Sequence, residues 1–132
     1  MSPLELPDVT HVVGREEIDL YAEISADHNP LHMDPEFAAR TRFGTVIAHG
    51  PIGLQTVFEM IGGWLGDRAQ GVRVDALFRG PVRIGDAVTC RAESVEEHAG
   101  DIVVRARCTN QDGDEVLEAL VVVPRHLAPR GD

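Results

Sequence analysis

The chain has 132 residues, 22 of them acidic and 12 basic, which gives a formal net charge of −10 at neutral pH. That length fits one domain, residues 1–132, with a single buried core, and the negative field argues against nucleic-acid and anionic-membrane partners. All the basic residues are arginine, and the absence of lysine excludes Schiff-base chemistry and a Walker-type phosphate loop.

In chain order, the stretch MSPLELPDVTHVVG has neither the basic n-region nor the apolar h-region of a secretion signal, so a cytoplasmic protein is expected. THVV (10–13) predicts a short strand and Gly14 a break. REEIDLYAEIS (15–25) has acidic residues in its first turn and apolar Ile18, Tyr21 and Ile24 at three-residue spacing, which predicts an amphipathic helix. It should end at SADHNPLHMD, because Pro30 disfavours the α conformation at Asn29 and Asn-Pro starts turns. Asp34 as N-cap and Pro35 at the first helical position then predict a short helix through EFAARTRF (36–43).

A loop containing Gly44 leads to PIGLQTVFEMIGGWL (51–65), bounded by Gly50 and Gly66. Its apolar side chains spread around most of the helical wheel, with Gln55, Thr56 and Glu59 as the polar interruptions, so the helix should be surrounded. The surroundings should be protein. A membrane span needs about 20 apolar residues, and this segment carries Glu59 and the pair Gly62-Gly63.

Four β-rich segments follow, at 71–78, 85–97, 101–110 and 115–124, separated by turn signals. Val72, Val74, Ala76 and Phe78 alternate with Arg73, Asp75 and Leu77, the pattern of a half-buried strand. The second and third segments are close enough to form a hairpin, and the whole reads as an antiparallel meander. Cys90 and Cys108 lack a CxxC arrangement and are expected to be reduced thiols in or near the core. The predicted class is α+β, one antiparallel sheet of four to six strands curled around a long central apolar helix. An open sheet edge predicts a homodimer.

The chemistry concentrates in two places. An Asn29-Pro30 turn can bring the carboxylate of Asp27 and the imidazole of His32 to one point, where they could hold a water and move its proton. Spacing alone also admits a structural reading, with Asp27 capping a turn and His32 as a partly buried helix-start residue. A metal site from Asp27, His28, His32 and Asp34 is disfavoured because Pro30 breaks the helical spacing, and no metal is expected. In AHGP (48–51), Gly50 lies at a helix N-terminus, where an unpaired N–H could stabilise an oxyanion or simply begin a buried helix. His49 has no assignable role beyond loop packing.

The segment ISADHNPLHMDPEFAARTRFGTVIAHGPIGL resembles the MaoC-like (R)-specific enoyl hydratase and dehydratase family, marked by a serine-glycine-aspartate-x-asparagine-proline-x-histidine run and a later histidine-glycine pair. The resemblance implies a hot-dog fold and interconversion of trans-2-enoyl and (R)-3-hydroxyacyl thioesters of coenzyme A or acyl carrier protein. It implies Asp27 and His32 as the water-activating pair, Asn29 and Pro30 as the turn that shapes it, and Gly50, with Asn29, on the oxyanion and substrate side. No metal or redox cofactor is implied. Ala26 replaces the family's glycine, at a cost of about 1 kcal/mol if the position requires positive φ, and Pro51 stands where a larger apolar residue is expected.

Alternatives within the same fold are a thioesterase and a non-catalytic subunit that binds an acyl chain or completes a heterodimer. Leu54, Phe58 and Ile61 are candidates to limit the acyl pocket, with core packing the plainer reading. Arg79 and Arg83 are candidates to meet the carrier's phosphates.

Overall fold

The computed structural model describes residues 6–69 and 71–129. Strand β1 (Val9–Val12) leads into helix α1 (Arg15–Ser25), whose start is tied by the Glu17 carboxylate accepting the Gly14 N–H at 2.8 Å. Ile18 and Ala22 form its buried stripe. It ends at Ala26, which adopts the left-handed conformation at φ 60°, ψ 19°.

The expected Asn29-Pro30 turn is a single helical turn, α2 (Pro30–Met33), capped by the Asn29 side chain, which accepts the Leu31 N–H. Helix α3 (Pro35–Ala39) begins as expected, with the Asp34 carboxylate accepting from the Glu36 and Phe37 N–H groups. It stops four residues short of the predicted end. There the Thr41 hydroxyl takes the Ala38 carbonyl and accepts the Phe43 N–H, a side-chain competition with the helical ladder, and Gly44 turns the chain at φ 73°.

Helix α4 (Gly50–Leu65) is followed by β2 (Arg73–Phe78), β3 (Ala87–His98), β4 (Asp101–Thr109) and β5 (Glu115–Pro124). The five strands form one antiparallel sheet in the order β1-β3-β4-β5-β2. The meander therefore holds for β3, β4 and β5, whereas β2 lies beyond β5 at the far edge. The β3–β4 hairpin turns through Ala99 (φ 49°) and Gly100 (φ 88°), the two positive φ values of a type I′ turn.

Helix α4 packs on one face of this sheet. Ile52, Val57, Met60, Ile61 and Leu65 share a single buried cluster with Ile102, Val104, Leu117 and Val121 from the strands. Each fully buried aliphatic side chain of this kind contributes about 1.5–3 kcal/mol. Thr56, a polar interruption in sequence, is fully buried and satisfied: its hydroxyl donates to the Gly53 carbonyl at 3.1 Å and lies 3.4 Å from the Cys108 sulfur. Cys90 and Cys108 are cross-strand neighbours, both free and buried.

Two expectations from periodicity need correction. The central helix is not surrounded on all sides within this chain, since Phe58 is 52% exposed beside Gln55 and Glu59. Strand β2 is not half buried either, with Ala76, Leu77 and Phe78 all exposed. As the sheet's terminal strand it has β5 on one side only. Apolar patterning reports a face meant for contact, and in both places the contact is not made within the described residues.

Candidate active site

The approach of Asp27 and His32 follows from the local chain. Ala26 turns the backbone out of α1, Asp27 accepts the Asn29 N–H on its own carboxylate at 3.3 Å, and Asn29 caps the turn that carries His32. Arg15 steadies the other end of that turn by donating to the carbonyls of His32 and Met33 at 3.5 and 3.0 Å, while its guanidinium also pairs with Asp19 at 3.1 Å.

The His32 Nδ1 lies 2.8 Å from the Ile47 carbonyl. A carbonyl only accepts, so Nδ1 carries the proton of the neutral ring and Nε2 presents a lone pair. That Nε2 is 3.9 Å from Asp27 Oδ2, too far for a direct hydrogen bond and a span that a water can bridge. The His32 side chain is 13% exposed and that of Asp27 51%. The imidazole is thus sheltered, while the carboxylate stays in contact with solvent.

His32 and Gly50 line one cavity of about 230 Å³, together with Gly53, Phe78, Val82 and Leu117. Gly50 opens α4, so its N–H has no intrahelical acceptor and sits at the positive end of the helix. The Phe78 ring stands over it: a methyl group on Gly50 would come within 3.2 Å of the ring. An oxygen at this helix start therefore meets a donor, with an apolar wall beside it. A larger depression of about 430 Å³ on the opposite face of the sheet is lined by Arg105, Arg107 and Glu118, of which Arg107 and Glu118 pair with Glu93 and Arg79.

Leu54, Phe58 and Ile61 do not line the cavity, and Ile61 packs in the core as in the plainer reading. The two arginines considered for phosphate contact are already engaged. Arg79 pairs with Glu118 at 3.0 Å, and Arg83 donates to the Phe43 carbonyl at 3.2 Å. The amide oxygen of Asn29 is used as the α2 cap, in keeping with its turn-shaping part.

Sequence reasoning missed His49. Its ring is 3% exposed, stacks on His32 with centroids 3.9 Å apart and planes 29° apart, and contacts Tyr21 at 4.8 Å. Its Nε2 is 2.9 Å from the backbone carbonyl of Asp27. The position directly before a helix-start glycine was the available signal.

Asp27, His32 and His49 each offer a ligand atom within 4.8 Å of the others. A tetrahedral ion needs imidazole lone pairs that converge on it at about 2 Å. Rings stacked so nearly parallel send theirs side by side, so the cluster would have to rearrange to hold a metal.

Residues 3–115 match the family model of the MaoC like domain. The chain is 43% identical over 109 residues to a 3-hydroxybutyryl-CoA dehydratase of Methylorubrum extorquens, covering 80% of this chain and 69% of that protein. It is 34% identical over 120 residues to an (R)-specific enoyl-CoA hydratase of Aeromonas caviae, covering 84% of this chain and 87% of the relative. Among solved structures, the (R)-hydratase from A. caviae involved in PHA biosynthesis matches with a TM-score of 0.75 and 27% identity, over 90% of this chain and 92% of the other. The sheet and its central helix form the hot-dog fold expected from sequence. With the relatives, the fold and the family model in agreement, the chain belongs to the MaoC-like domain family.

Proposed function

We propose that the protein is a hydro-lyase that interconverts trans-2-enoyl and (R)-3-hydroxyacyl thioesters of coenzyme A or acyl carrier protein. The observation that carries the reading is the Asp27–His32 pair, separated by one water's span, with His32 lining a cavity that also contains the start of α4. The hydratase and dehydratase names of the relatives support the same reaction.

In the hydration direction a water sits between the Asp27 carboxylate and His32 Nε2, and both accept its hydrogens. Its oxygen forms a bond to C3 of the enoyl group while a proton leaves for this pair. Electron density moves through the conjugated system onto the thioester oxygen, where the Gly50 N–H stabilises it. A proton then goes to C2, the carbonyl re-forms, and the net change is one water added across the double bond. Dehydration is the reverse.

No electron leaves the substrate in this sequence, so it runs without a redox cofactor, and the proton steps run without a metal. The free edge of β2, where Leu77 and Phe78 are 51% and 52% exposed, supports a homodimer joined along that strand. No helix among the described residues is long and apolar enough to cross a membrane. The two buried free thiols suit a reducing cytoplasm.

The test is loss of enoyl-thioester absorbance when purified protein is added to crotonyl-CoA and to a longer enoyl-CoA. Wild type should consume substrate, and Asp27→Asn and His32→Ala should each lower kcat by about 10²-fold or more. Turnover that survives both substitutions would refute the assignment. Release of free coenzyme A, without hydration, would favour a thioesterase instead.

A further inference from the structure

We infer that His49 is a positioning residue for this reaction, holding Asp27 and His32 in register with each other from the buried side of the site. The inference rests on the reading of that pair as catalytic.

His49 touches both members of the pair by different means. Its Nε2 lies 2.9 Å from the main-chain carbonyl of Asp27, and because that carbonyl can only accept, the ring donates from Nε2. Its face stacks on the His32 ring at 3.9 Å, and Tyr21 contacts it at 4.8 Å. The restraints on Asp27 from its own neighbourhood are short-range and at the exposed surface: Ser25 Oγ accepts its N–H at 3.2 Å, and its carboxylate accepts from Asn29 at 3.3 Å. The His49 bond is different in kind. It spans 22 residues and ties the loop to the start of α4, the element that also presents Gly50.

Packing alone does not account for a histidine here. The His49 Nδ1 is buried and has no hydrogen-bond partner among the described residues, and an unpaired buried polar atom is destabilising. A phenylalanine would fill the same space and stack on His32 without that cost. What a phenylalanine lacks is the donor to Asp27.

The test compares His49→Phe, which keeps the stacked ring and removes the donor, with His49→Gln, which restores an amide donor. On crotonyl-CoA, His49→Phe should lower kcat by about 10- to 100-fold, the scale of an ångström-level displacement of a catalytic group, with KM within about twofold of wild type. His49→Gln should recover most of that loss. Amide hydrogen exchange over residues 25–29 reads the tether without any turnover, and should quicken in His49→Phe and return towards wild type in His49→Gln. Unchanged exchange in His49→Phe overturns the inference, as does a kcat within twofold of wild type or a loss confined to KM. A wild-type protein inactive on enoyl thioesters of both coenzyme A and acyl carrier protein would refute the hydration reading itself, and the exchange measurement would still decide the tether.

Discussion

Replacing Ala26 with glycine should make the protein more stable, the reverse of what an alanine-to-glycine change does within a helix. Ala26 sits at φ 60°, ψ 19° as the C-cap of α1. A residue with a Cβ pays roughly 1–2 kcal/mol to adopt the left-handed conformation, and glycine adopts it freely. Against this, glycine gives the unfolded chain more freedom, which costs about 0.4–1 kcal/mol. The difference is a net gain of about 0.5–1 kcal/mol. With unfolding entropy near 2.1 cal/mol/K per residue, a domain of this length should rise by roughly 2–4 °C in Tm. Calorimetric melts of wild type, Ala26→Gly and the helix-interior control Ala22→Gly would measure it. Ala22 is fully buried in the middle of α1, so its replacement should lower Tm. A fall in Tm for Ala26→Gly as well would refute the reasoning, because it would mean that the C-cap is not held left-handed in solution.

Removing the α2 cap with Asn29→Ala should cost about 1 kcal/mol in urea unfolding and lower kcat together with it, since the capped turn carries His32; a variant with wild-type stability would deny the cap. Gly50→Ala should place a methyl group 3.2–3.3 Å from the Phe78 ring, crowding the helix start and lowering kcat on crotonyl-CoA by about tenfold or more. Adding Phe78→Leu should restore part of the activity, and full activity in the single variant would show that the thioester does not approach Gly50. The hydrogen bond to Cys108 and burial together push the Cys90 thiol well above the usual cysteine range. Iodoacetamide at pH 8 should therefore leave Cys90 unlabelled in the native protein and modify it readily in guanidinium, a contrast that mass spectrometry would read directly.

Much of the local structure was legible because its causes are local. Glu16 and Glu17 in the first turn of α1, Asp34-Pro35 at the start of α3 and the glycines flanking α4 set those boundaries within a few residues. The strands at 115–124 and 101–109 were equally readable from their β-branched runs. The left-handed backbone at Ala26 was anticipated as a condition and is met. The end of α3 was not legible, because the competition from the Thr41 hydroxyl depends on where that side chain turns once the chain has folded.

The sequence by itself determined the classes of element, the α+β architecture and the gathering of Asp27, Asn29, Pro30 and His32 around one turn, since hydrophobic period, capping chemistry and a proline turn act over a few residues. Only the tertiary structure decided that β2 lies beside β5 at a free edge, that Thr56 turns inward to Cys108 and that Gly53, Val82 and Leu117 line the cavity in place of Phe58 and Ile61. The same holds for His49, whose partner at Asp27 is 22 residues away. Which distant groups meet depends on how the helix and sheet pack, and no short window of sequence contains that information.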